Sequence, residues 1–277
     1  MRKLWLLTAA ICLANFIMAQ DEPGREKNEE LTDTIKLGNV TIIKSHKRKG
    51  EDSVAIRSVK IKRRKSENIK TSWFVPDIGL TNYTDNTDYT SPAAGAFAPG
   101  ATKDWFKLRP VKSVNVNIWI FMQRINMVKQ VLNLKYGLGV ELNNYRYKEP
   151  VRFQKTPTLV YMDAANYRKT KLAADYITIP FMLNVNFTPK ESGDKSYGLS
   201  LGASAGYLYS SRNKYVSDAT GKDKLRDDFD LRPFKLSYIA ELKLGFVKLY
   251  GSIASRSMFE KGLDQTPYTM GFRLSPY

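Results

Sequence analysis

From Trp73 onward, apolar and polar residues alternate singly along most of the chain. Between residues 131 and 143, Leu132, Leu134, Tyr136, Leu138, Val140 and Leu142 share one face, and Asn133, Lys135, Gly137, Gly139, Glu141 and Asn143 share the other. A period of two places successive side chains on opposite faces of a strand, so this segment is a strand with one apolar and one polar face. The stretch 177–187 repeats the pattern, with Ile177, Ile179, Phe181, Leu183, Val185 and Phe187 opposing Thr178, Pro180, Met182, Asn184 and Asn186. At 113–122, Val114, Val116, Ile118, Ile120 and Met122 alternate with Ser113, Asn115 and Asn117, until Trp119 and Phe121 fall on the polar face. Further strands are predicted at 199–209, 234–244, 247–255 and 268–275. A first one near 73–83 sets Phe74, Ile78 and Leu80 opposite Asp77, Gly79 and Thr81. The total is about eight strands.

The connections alternate in length. Residues 82–110, 146–169, 210–232 and 258–265 are long or moderately long, whereas 126–130, 189–195 and Gly245-Phe246 are short. Long loops at one end and tight turns at the other characterise membrane barrels. The polar face is rich in glycine (Gly137, Gly139, Gly198, Gly202, Gly206 and Gly271), which suits a narrow shared lumen. The fold class expected is therefore all-β, an antiparallel up-and-down transmembrane β-barrel over residues 71–277. Aromatics near strand ends (Trp73, Tyr83, Tyr145, Tyr147, Tyr176, Phe187, Tyr207, Tyr209, Phe234, Tyr268 and Tyr277) would form interfacial girdles. The same alternation also fits a soluble β protein with its apolar face turned inward around an apolar ligand.

The first seventy residues read differently. Met1, Arg2 and Lys3 precede an apolar run from Leu4 to Met18, then Ala19 and Gln20, the plan of a cleaved secretory signal peptide over 1–20. The run is shorter than the roughly 20 residues of a spanning helix. Residues 21–70 are charged and poor in aromatics, and predict a mostly flexible periplasmic arm with β-like pieces at Val40–Ile43 and Val54–Ile61. The net charge is +17, and part of it lies in the arm at Arg57, Lys60, Lys62, Arg63, Arg64 and Lys65. Peptidoglycan and inner-leaflet phospholipid are the partners expected for this patch, and nucleic acid is not. Outer-membrane lipid and lipopolysaccharide are expected around the barrel, the latter facing Lys103, Lys107, Arg109, Lys148, Arg152, Lys155, Arg168, Lys169 and Lys171.

The residues from Trp73 onward resemble the outer-membrane β-barrel (porin-like) family common in Bacteroidetes. The resemblance rests on a first strand with Trp73-Phe74, Asp77-Ile78-Gly79 and Asn82-Tyr83, and on the central strand Tyr176-Ile177-Thr178-Ile179-Pro180. It implies a barrel in the outer membrane of a Gram-negative cell, with the arm and C-terminus periplasmic. Ser275-Pro276-Tyr277 departs from the pattern, because Pro276 cannot donate a ladder hydrogen bond.

Chemistry is sparse. The single histidine, His46, precedes the barrel, and the single cysteine, Cys12, lies in the leader. A Ser-His or Asp-His site on the barrel rim is therefore not expected, nor is a zinc or copper site. The acidic loop residues Asp218, Asp223, Asp227, Asp228 and Asp230 match no EF-hand spacing, and no cofactor is expected. The informative polar group is the set of lumen-facing charges Asp77, Lys135, Glu141, Lys235, Glu241, Lys243 and Arg273, which are expected to pair inside the barrel. The functional reading is a non-enzymatic outer-membrane barrel with a structural or surface-binding role. The alternatives are a narrow porin or accessory transport subunit, and the soluble ligand-binding protein.

Overall fold

Every alternating segment forms a strand. The computed structural model describes residues 32–37, 40–45, 68–165, 167–189, 195–217 and 221–274, and the chain divides into two compact units, Met1–Lys65 and Ser66–Tyr277. In the first unit, β1 (Thr32–Leu37) and β2 (Val40–Ser45) pair antiparallel. The expected piece Val40–Ile43 lies in β2. Val54–Ile61, the leader, His46 and the basic run Arg57–Lys65 lie outside the described residues.

The second unit contains β3 (Ile69–Asp85), a short helix α1 (Pro92–Phe97), β4 (Val114–Val128), β5 (Leu132–Arg146), β6 (Val151–Gln154), β7 (Leu159–Met162), β8 (Tyr167–Asn186) and β9 (Tyr197–Ser217). It continues with β10 (Gly221–Arg226), β11 (Phe234–Leu244), β12 (Val247–Ala254) and β13 (Gln265–Arg273). β3, β4, β5, β8, β9, β11, β12 and β13 each pair antiparallel with the next, and β13 returns to pair with β3. The result is an eight-stranded up-and-down ring with no open edge. β6 and β7 form a separate hairpin, and β10 extends the sheet beside β9.

The ring turns its polar face inward. Asp77 and Asn133 have no solvent exposure, whereas Phe181 and Leu236, on outward faces, are 56% and 60% exposed. A continuous apolar exterior of this kind is unstable in water and requires lipid. That orientation overturns the soluble alternative. Trp73, Phe187, Tyr197 and Phe246 project outward at the short-turn end, and Tyr207, Tyr209 and Phe234 project outward toward the loop end. Four residues expected in the girdles are instead buried inside: Tyr83, Tyr145, Tyr147 and Tyr176. The first three continue the odd-numbered phase of the lumen face, and Tyr176 continues the even-numbered inward phase that Thr178 and Met182 set on β8; the extra residue of the bulge opposite Asp175 and Tyr176 is Tyr209 of β9. Trp119 points inward in phase with Asn115 and Asn117 while Ile118 and Ile120 stay exposed, and a second bulge, at Ile120, then shifts β4 so that Met122 and Arg124 line the lumen instead of Phe121.

β8 and β9 run to 20 and 21 residues, roughly twice the nine to eleven a tilted membrane strand needs. Their extra length rises beyond the apolar belt, where Lys169, Lys171 and Lys214 interrupt the alternation that marked the strands in the sequence. At the other end the turns are tight. Gly245 takes φ +64° in the two-residue link between β11 and β12, a conformation that such hairpins demand.

Inside, Gly79 makes closure possible: a Cβ there would meet the Met270 carbonyl oxygen at 2.4 Å and the Tyr250 hydroxyl at 2.5 Å. Gly79 stands opposite Gly271 across the closing pair β3–β13. Gly79→Ala is expected to destabilise the barrel by about 1–3 kcal/mol through overpacking, measured by urea unfolding of detergent-refolded protein.

Candidate functional site

Closing the ring brings charges from distant strands into one polar chain. Arg273 on β13 lies opposite Asp77 on β3 and binds it bidentately, Nε to Oδ1 and Nη2 to Oδ2, both at 2.8 Å. Asp77 also accepts hydrogen bonds from Trp119 Nε1 at 2.6 Å and Asn117 Nδ2 at 3.3 Å. The guanidinium continues to Glu241, which also pairs with Lys135. Lys135 donates in turn to Ser200 Oγ at 3.1 Å. A carboxylate with several donors, and a cation held by a fork, satisfy the desolvated charges that an interior would otherwise expel.

Glu141 forms a second centre nearer the loop end. Lys235 pairs with it, while Asn143 Nδ2 and Thr178 Oγ1 donate at 3.1 and 3.4 Å. The Lys235 ammonium stands 4.7 Å from the centre of the Tyr176 ring. Between the two centres, Tyr250 Oη donates to Asn115 Oδ1 at 2.6 Å, and Asn115 Nδ2 reaches Asn117 and Asn143 at 3.0 Å each. Of the seven charges singled out in the sequence, the structure joins six into these two centres, and Lys243 makes no ion pair among the described residues. Trp119 and Tyr250 belong to the chain as well, and an aromatic ring on the polar face, at Trp119, was their only sequence signal. The mid-barrel void beside Arg273 and Glu141 measures about 30 Å³, space for a few waters.

The long loops do not stand away from the barrel as an open display surface. They fold over its mouth and bury an aromatic cap against Tyr83, Tyr145 and Tyr176. Phe153, from the β6–β7 hairpin, lies 5.4 Å from Phe229, 6.2 Å from Tyr147 and 6.3 Å from Phe259, ring centre to ring centre. One side chain thereby links three separate loops, and Phe97 of α1 joins through Phe259 at 5.6 Å. Ser91 caps α1, its hydroxyl accepting from the Ala94 N–H at 3.3 Å, and Pro92 begins it.

Arg152, expected to face lipopolysaccharide, is folded into this assembly. Its guanidinium lies 4.2 Å from the Tyr215 ring centre and donates to Asp163 at 2.7 Å. That hydrogen bond, with others from the Ala165 N–H and the Tyr167 hydroxyl, holds the Asp163 carboxyl at about 2. Lys103, Lys107, Lys148, Lys155 and Arg168 are exposed on the outer face, whereas Arg109, Lys169 and Lys171 are half-buried. Among the described residues, no group of three or more His, Cys, Asp or Glu is placed to hold a metal.

Asp77→Ala would leave the buried Arg273 with Glu241 alone and strip the partner from its Nε and Nη2. Its expected cost is about 3–5 kcal/mol, with much of the loss restored in the Asp77→Leu/Arg273→Met double variant, both read by urea unfolding in detergent.

A comparison with curated proteins gives no match. The family model described as outer membrane protein beta-barrel domain matches residues 81–259, which run from within β3 through the closed ring to the loop before β13. With the eight-strand closure, the lipid-facing belt and the polar interior, this match shows that the chain belongs to the outer membrane protein beta-barrel domain family.

Proposed function

We propose that this outer-membrane barrel is non-catalytic and serves a structural or surface-binding role, presenting its loop cap to the cell exterior. The observation that carries the reading is the double closure of the lumen: an aromatic cap at one end and charge centres across the middle. A barrel of about eight strands has an interior that side chains fill, and open aqueous channels belong to wider barrels. The surface left for recognition is then the outside of the cap and the raised β8–β9 wall. Exposed lysines there, including Lys103, Lys148 and Lys155, suit the phosphate groups of lipopolysaccharide. In this reading the short turns and both ends of the chain are periplasmic. The basic segment Arg57, Lys60, Lys62, Arg63, Arg64 and Lys65 contacts peptidoglycan or inner-leaflet phospholipid.

The rival role, a narrow porin, predicts steady conductance. Purified barrel inserted into planar bilayers is expected to be electrically silent, and reproducible single-channel steps would transfer the protein to the transport class. Orientation is tested by single-cysteine substitution at Lys155, in a long loop, and at Lys129, in a short turn. On intact cells a membrane-impermeant maleimide is expected to label the first and not the second; the reverse pattern would invert the topology.

A further inference from the structure

Two rows of cations face the lumen at the short-turn end. On β3, β4 and β5, Lys70 stands opposite Arg124, and Arg124 opposite Lys135. On β11, β12 and β13, Lys243 stands opposite Lys248, and Lys248 opposite Arg273. All six line one cavity of about 60 Å³, and Glu241 is the only carboxylate among its lining residues. Like charges placed directly opposite each other destabilise a sheet, and confinement between strands removes the water that would screen them.

Glu241 is already engaged by Lys135 and Arg273. The side chains of Lys70, Arg124, Lys243 and Lys248 make no hydrogen bond or ion pair within the described residues. Lys248 is the most telling of these, because it is only 5% exposed and makes no ion pair among the described residues, sharing the field of a Glu241 already paired twice, while the comparably enclosed Lys235 is paired with Glu141. Ser72, Gln123, Asn184 and Asn186 add neutral polar groups to the same walls.

We propose that this vestibule is a binding site for a phosphate-class oxyanion, carried by a small solute or by a lipid headgroup. A doubly charged oxyanion accepts several hydrogen bonds at once and can neutralise both rows, as lysine ammoniums and an arginine fork require. The cavity suits one such group and not a length of polyanionic chain. The site lies at the opposite end of the barrel from the loop cap and is independent of the role proposed for that surface.

The test is thermal unfolding of the full-length protein in zwitterionic detergent, in inorganic phosphate against chloride at matched ionic strength. Binding to the folded state alone predicts a rise of roughly 5 °C at phosphate well above its dissociation constant, growing with the logarithm of the phosphate concentration. A general salting effect would climb in proportion to concentration, and that result, or no rise, overturns the proposal. The Lys243→Met/Lys248→Met variant is expected to melt higher than wild type in chloride, with repulsion relieved, and to lose the phosphate response. A retained response overturns the assignment to this cavity. Should the variant fail to fold, broadening of the phosphate ³¹P resonance by wild-type barrel decides the matter, and its absence overturns the proposal. Glycerol phosphate and phosphatidic acid doped into the micelles separate the sources: a response to the first alone assigns a solute, and to the second alone a headgroup.

Discussion

The β3–β13 seam is the constraint on which the rest of the molecule depends. In hydrocarbon an unpaired strand edge leaves a row of N–H and C=O groups with no partner, so a membrane sheet persists only when its first and last strands meet. Here they meet over nine residue pairs, from Gln265 opposite Asp85 to Arg273 opposite Asp77. The last of those pairs is also the bidentate ion pair of the lumen. One guanidinium thus tells β13 which register to adopt on β3, and a slip of one residue would send Arg273 toward lipid and separate it from Asp77. Opposed glycines at positions 79 and 271 let the two backbones approach at the same seam.

Closure then sorts the side chains. Once the ring forms, each strand has one face in lipid and one in a space too narrow for bulk water, and every polar residue on the inner face must find a partner there. Asp77, Glu141 and Glu241 do so by collecting donors from several strands each. Above them the wall formed by β8 and β9 rises past the membrane belt and gives the loops something to pack on. The cap is consequently part of the fold's core, and its aromatics have left the membrane interfaces where unpacked tyrosines would sit.

The two ends of the lumen have opposite chemistry. At the loop end, rings from separate loops exclude water and leave little charge unpaired. At the turn end, cation follows cation across neighbouring strands with a single carboxylate to balance them. A sheet optimised only for stability would place acids opposite those bases, as it does where Asp77 faces Arg273. The imbalance therefore marks this end as the part of the interior that meets something other than protein.

The strands were legible in the sequence because their alternation is a local property: Leu132 to Asn143 and Phe234 to Leu244 fold where a period of two places them. Closure into a ring was legible from the loop lengths, and the family resemblance pointed the same way. Seven of the acidic and basic lumen residues could be picked out one by one, since each interrupts a polar face with a charge, but Lys70, Arg124 and Lys248 were missed, Arg124 because the bulge at Ile120 shifts its phase. Alternation is symmetric, however, and does not say which face turns to lipid; that was decided by the burial of Asp77 beside the exposure of Phe181. The cap was invisible because Phe106, Phe153, Phe229 and Phe259 are isolated aromatics in aperiodic loops, and only folding brings them to one place. Which charges pair and which stand opposed was equally hidden, because Arg273 and Asp77 are 196 residues apart along the chain and opposite each other only in the register of a closed sheet.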